Sequence, residues 1–139
     1  MKLVVDASVA LKWFLRTKSD EPYLANAEAV AAAIDQSATE LFAPAHWTTE
    51  VVGVLVRLEP SLVDDALLLL DDMQPVLIHS LPVLRRAADL SIALNHHLFD
   101  TLYHAVALEE HATLVTADDA YFGKAKDLGA IVQLATFSL

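Results

Sequence analysis

Cysteine is absent from this chain, so neither a disulfide nor a thiolate metal site can hold it together. That fits a reducing, cytoplasmic setting. Glycine and proline are scarce as well, at 3 and 5 residues of 139, while 55% of residues are hydrophobic. This combination excludes a disordered or low-complexity chain. No apolar run approaches the roughly 20 residues a membrane helix needs; the run from Leu67 to Leu70, for instance, is closed by Asp71 and Asp72. The opening Met1-Lys2-Leu3-Val4-Val5 is too short for the apolar region of an export signal, and Asp6 ends it. Positive charge is the last scarcity: 9 Lys and Arg face 19 Asp and Glu, a net charge of −10. By itself that balance opposes long-range attraction of a nucleic acid.

What is present is a regular alternation. The length of 139 residues suits one domain, 1–139, with a core that needs no staple. Leu3-Val4-Val5 reads as a buried strand and Ala7 to Arg16 as a helix. Leu24, Ala27, Ala31 and Ile34 recur at helical spacing, which predicts an amphipathic helix over about residues 21 to 36. Leu41-Phe42-Ala43 is a second strand, and Pro44 is expected near the start of the next helix, whose face carries Val51, Val52, Leu55 and Leu58. Pro60 stops that helix, and Ser61 is expected to cap another that runs to about Met73.

Val76-Leu77-Ile78 is a third strand. Pro82 opens a helix with Leu84, Ala88, Ser91 and Ile92 on one face, and Asp100 is expected to cap the helix after it. Thr113 to Thr116 is a fourth strand, Asp118 or Asp119 starts a last helix closed by Gly129, and Ile131-Val132 is a fifth strand. Short apolar strands separated by helices predict an α/β fold, a three-layer sandwich around a central parallel sheet of four to five strands.

In such sheets ligands bind beyond the carboxyl ends of the strands. Asp6 follows the first strand directly, and Asp118 lies just past the fourth. Asp100 begins a helix able to point at the same edge, and Glu50 sits in the first turns of the helix after the second strand. Each has an ordinary reading as a cap, a turn residue or a solvated charge. Four carboxylates brought together would repel one another unless cations neutralise them or some are protonated. Oxygen donors without thiols select Mg²⁺ or Mn²⁺, which activate water and stabilise charge on a phosphate.

These residues fall in strings that resemble a known family. Val4-Val5-Asp6-Ala7-Ser8-Val9 resembles the opening strand and first acid of PIN domains, and the segment from Ala43 to Val51 is similar to the one carrying the second acid, Glu50. The segment from Leu98 to Ala107 resembles the third-acid helix, with Asp100, and Leu114-Val115-Thr116-Ala117-Asp118 the final Thr-x-Asp element. Order and spacing match over essentially the whole chain. The resemblance implies a metal-dependent endoribonuclease with Asp6, Glu50, Asp100 and Asp118 as metal-site acids, Ser8 and Thr116 as supporting hydroxyls, and Asp119 as the neighbour able to replace Asp118. Short bacterial members are usually toxins of VapBC toxin–antitoxin pairs, so it also implies an RNA substrate (tRNA, rRNA or mRNA), a VapB-type antitoxin and a homodimer.

Basic residues at a cleft rim would reconcile RNA cleavage with the acidic balance. Lys12 with Arg16, Arg85 with Arg86, and Lys124 with Lys126 are the candidates. Hydrophobic helix faces around 21 to 36 and 44 to 58 are expected either in the core or as a groove for a partner helix. His104 reads as a satisfied or surface histidine rather than a ligand, His96 and His97 as loop or helix-end residues with metal binding the lesser reading, and Trp13 and Trp47 as core or interface. A receiver-like phospho-acceptor domain and a haloacid-dehalogenase-like phosphatase both lack their second acid here, since Ala7-Ser8 follows Asp6. A catalytically silent PIN binding module is the remaining alternative, and it would have no need of all four acids.

Overall fold

The computed structural model describes residues 1–16 and 21–138. Strands β1 (Lys2–Val5), β2 (Glu40–Pro44), β3 (Val76–Ile78), β4 (Thr113–Thr116) and β5 (Ile131–Gln133) form one sheet in the order β3-β2-β1-β4-β5. Every pairing is parallel, with Val4 beside Phe42 on one side and Leu114 on the other. β1 is central because it is buried on both faces: Leu3, Val4 and Val5 have at most 2% of their surface exposed.

The helices are α1 (Ala7–Phe14), α2 (Leu24–Ile34), α3 (Trp47–Leu58), α4 (Val63–Asp72), α5 (Leu81–Leu94), α6 (Leu98–Glu110) and α7 (Asp119–Ala125). Right-handed crossovers place α1 to α4 on one face of the sheet and α5 to α7 on the other. α6 lies against β1, β2 and β4 and is backed by α5, whereas α1 packs on β4, α2 and α3. The three-layer α/β/α architecture expected from the alternation is what the chain adopts.

Several local expectations shift. Pro44 lies near the start of α3 as expected, but it is itself the last residue of β2, in register with Ile78, and α3 begins at Trp47. Ser61 does not cap α4, because Pro60–Leu62 forms a tight 3₁₀ turn that runs straight into it. The buried face of α5 carries Val83 and Ala87, one position earlier than expected, and Ile92 is 82% exposed. Ser80 caps that helix, accepting from the Val83 N–H, with Pro82 in its first turn as expected, and Leu84 is half-buried beside the Val83-Ala87 face. Asp100 is not the cap of α6 either: His97 holds that position and Asp100 lies in the first turn.

Two connections leave the first strand's edges in opposite directions, toward β2 and, after a long excursion, toward β4. That reversal opens a crevice at the carboxyl ends of β1 and β4. α1, α3 and α7 begin just past the ends of β1, β2 and β4, and α6 runs back toward the start of β4, so the N-termini of α1, α3, α6 and α7 all lie at this edge. Their exposed N–H groups give it a partial positive charge.

Candidate active site

Asp6 terminates β1 and its backbone N–H still pairs with the Val115 carbonyl, so the sheet itself fixes its position. The side chain caps α1 by accepting from the Ser8 N–H at 3.3 Å. Its other oxygen accepts from the Thr116 hydroxyl at 2.7 Å. That hydroxyl in turn accepts from the Asp118 N–H at 3.0 Å, and the Ser8 hydroxyl accepts from the Ala117 N–H at 3.1 Å. Ser8 and Thr116 therefore stitch the end of β1 to the end of β4, with Asp6 and Asp118 on the two sides of the seam.

Asp118 and Asp119 separate cleanly. Asp118 caps α7 through the Tyr121 N–H at 3.0 Å and stays half-buried at the crevice. Asp119 is exposed and accepts from the Gln133 side chain of β5 at 3.2 Å.

Glu50 and Asp100 each have a histidine four residues ahead, His46 at the N-cap of α3 and His96 in the turn just before α6. His46 Nε2 lies 3.2 Å from Glu50 Oε2 and 3.0 Å from the Phe99 carbonyl, tying α3 to the start of α6. The Tyr103 hydroxyl donates to the same Glu50 oxygen at 3.3 Å. His96 Nε2 lies 3.0 Å from Asp100 Oδ2, while its Nδ1 faces the Lys124 ammonium at 3.2 Å. An ammonium only donates, so His96 Nδ1 is the acceptor and Nε2 carries the proton given to Asp100. Ligand atoms of His96, Asp100 and Asp118 all fall within 4.8 Å of one another.

The electrostatics join the acids into one set. Burial raises the Asp6 carboxyl to about 6, repulsion from Glu50 and Asp100 adds to this, and the Thr116 and Ser8 hydrogen bonds oppose it. Asp100 is raised as well, first by burial and then by Glu50 and Asp118, with His96 pulling the other way. Tyr103 is pushed up by burial and then by Glu50 and Asp6, and Tyr121 by burial and then by Asp100, Asp6 and Asp118. Both phenols are thus kept as neutral donors. Such accumulated negative charge, offered by hard oxygen donors with no thiol, fits a divalent cation of the Mg²⁺ or Mn²⁺ kind.

Beside the acids lies an open cleft of about 410 Å³ lined by His46, Thr49, Glu50, His97, Phe99 and Asp100. The cations expected at its rim are mostly elsewhere. Lys12 is buried and paired with Glu21 at 2.7 Å, and Arg86 is held by Glu109 at 2.6 Å, so neither offers the free charge expected of it. Arg16 lines a separate groove with Lys12, and Arg85 a hollow with Arg86 on α5. Lys124 reaches the acids, through His96. Trp13 and Trp47 are in the core, and His104 is buried between the Tyr121 hydroxyl and the Gly129 carbonyl.

Sequence reasoning missed His46 and Tyr103 and undervalued His96. The signal was there: His46-x-x-x-Glu50 and His96-x-x-x-Asp100 are i,i+4 pairs, and Tyr103 follows Asp100 by one helical turn.

The family model for the PIN domain matches residues 3–128. No curated protein matches the chain. Among solved structures, VapBC-1 from nontypeable Haemophilus influenzae superposes with a TM-score of 0.64 over 98% of this chain and 100% of that one, at 14% identity. At that identity the likeness is one of fold, and it agrees with the parallel five-stranded sheet described above. With its model spanning nearly the whole sequence, the chain belongs to the PIN domain family.

Proposed function

We propose that this protein is a divalent-metal-dependent endoribonuclease, the cytoplasmic toxin of a VapBC-type toxin–antitoxin pair. One observation carries the reading: Asp6, Glu50, Asp100 and Asp118 lie in one another's fields at the switch point of a PIN-domain sheet. That arrangement is costly without a cation, and a pure binding module has no use for it.

Asp6, Glu50, Asp100 and Asp118 would hold Mg²⁺ or Mn²⁺. When bound, the cation supplies Lewis acidity toward a phosphodiester and lowers the pKa of water. The chain's own groups set the stage for this. Thr116 fixes one oxygen of Asp6, while Tyr103 and His46 both act on Oε2 of Glu50. His96, oriented by Lys124, holds Oδ2 of Asp100. Each acid enters the site already oriented, so little side-chain freedom is lost on binding the ion.

A VapB-type antitoxin is the proposed partner, supported by the fold shared with a VapBC complex. A groove of about 670 Å³ between α1, α2 and α4, lined by Trp13, Leu24, Ala31, Leu69 and Met73, suits an amphipathic helix. Of the two readings left open for the α3 face, the core one holds, since Val51 and Leu55 are buried, and α4 lines the groove beside α2. Val56, Leu58, Leu68, Val76 and Leu77 are exposed apolar side chains that a homodimer would cover.

The test is cleavage of total RNA or tRNA with Mg²⁺, with Mn²⁺ and with chelator, beside Asp6→Asn and Asp100→Asn. The native protein should cut only with metal, and both variants should lose at least a hundredfold. Cleavage that survives both substitutions would overturn the assignment.

A further inference from the structure

Phe99 is out of place for a folded core. It sits between Leu98 and Asp100 in the first turn of α6, and 61% of its surface is exposed. The ring is nonetheless held: His46 meets it edge-on at 5.2 Å between centroids, and His46 Nε2 contacts the Phe99 carbonyl at 3.0 Å. His46 is in turn packed against Tyr103 at 5.0 Å. An exposed aromatic whose backbone and ring are both fixed is a pre-ordered platform. It forms one wall of the 410 Å³ cleft whose other walls include Glu50 and Asp100.

We propose that this cleft is a nucleobase subsite, in which an unpaired base adjoining the scissile phosphate stacks on Phe99. The inference rests on the nuclease reading for its phosphate and adds the group that binds next to it. The cleft volume accommodates a base with its ribose. Among the described residues its lining contains no Lys or Arg, which favours a base over a phosphate there. The Thr49 hydroxyl, and any carboxylate oxygen not turned to a cation, can accept from the amino and imino N–H groups that bases carry. The net charge of −10 sharpens the point: backbone attraction is weak in this protein, so affinity must come from uncharged contact. Base–aromatic stacking is such a contact, and it tolerates any sequence because each base has a π face.

The probe is a single-stranded RNA hexamer carrying 2-aminopurine, bound in Mg²⁺ to the Asp6→Asn protein so that the strand stays intact. Binding should quench the fluorophore at one position of the hexamer. Adding Phe99→Ala should abolish that quenching and raise Kd about 5- to 100-fold, while Phe99→Trp restores both. In protein that retains Asp6, Phe99→Ala should act on KM more than on kcat. Its melting temperature should stay at the native value, since the ring is exposed. Quenching and Kd left unchanged by Phe99→Ala would overturn the subsite and assign the ring to a protein contact instead. If Phe99-dependent quenching stands but the native protein cuts no RNA, the subsite survives and the nuclease reading falls.

Discussion

His96 Nε2 donates to Asp100 Oδ2 at 3.0 Å, and Lys124, 3.2 Å from His96 Nδ1, fixes the tautomer that makes this donation available. Histidine here serves as an orienting donor to a carboxylate rather than as an acid or base. Neither His96→Ala nor Lys124→Met removes a carboxylate, yet both should loosen Asp100. Mn²⁺ affinity, read by titration calorimetry or electron paramagnetic resonance, should fall about 10- to 100-fold for His96→Ala and by less for Lys124→Met. His96→Gln, which keeps an N–H donor, should recover part of the loss. Equal affinity in all three variants would show that Asp100 needs no such support.

The buried Asp6 makes stability depend on pH in an unusual direction. Its carboxyl titrates near 6 in the folded protein, against 3.8 ordinarily. Between those values the folded state binds more protons than the unfolded one, so this group's contribution falls as pH rises through about 4 to 6. Asp6→Asn should therefore stabilise the metal-free protein at pH 7 by about 1–3 kcal/mol while removing cleavage. Urea midpoints measured across pH decide this, and Mg²⁺ should narrow the gap by stabilising the native protein more than the variant.

His104 works in the opposite sense. Burial lowers its pKa, and its neutral ring donates from Nε2 to the Gly129 carbonyl and accepts from the Tyr121 hydroxyl at Nδ1. The unfolded chain takes up a proton below about 6.5 that the folded ring resists, so stability is lost as pH falls past that value. The Asp6→Asn background should expose this limb more clearly, with the raised Asp100 carboxyl still opposing it. His104→Ala should flatten it and cost about 3 kcal/mol, because it orphans a buried phenol and carbonyl.

Tyr103→Phe removes one hydroxyl and its bond to Glu50. The fold should lose about 1 kcal/mol. Cleavage should drop roughly tenfold as Glu50 loses one of two anchors. His46→Ala removes the other, and the double variant should fall short of the product of the single losses if both act on the same oxygen.

The sequence made the sheet and the acids legible because their signals are local. A short apolar run such as Leu3-Val4-Val5 can do little but span a sheet, and Asp6 directly after it must lie at the sheet's edge. What escaped detection depends on rotation or on distant partners. The face of α5 is set by Ser80 and by contact with α6, where the Thr101 hydroxyl donates to the Ala87 carbonyl, and no spacing rule fixes that to within one residue. Lys12 looked free because its partner Glu21 lies beyond the end of α1, and Arg86 because Glu109 belongs to another helix. The paired carboxylate–histidine contacts were readable in principle, through spacing that was applied to the basic residues alone.

The central place of β1 governs when the molecule becomes competent during synthesis. The first strand to leave the ribosome must wait, with Asp6 already made, for β4 to arrive more than a hundred residues later and close on its open edge. Until Thr116 and Asp118 have emerged, no nascent or truncated product holds a complete set of acids. On the proposed reading, cleavage has to wait for Asp118 to join Asp6 across the sheet.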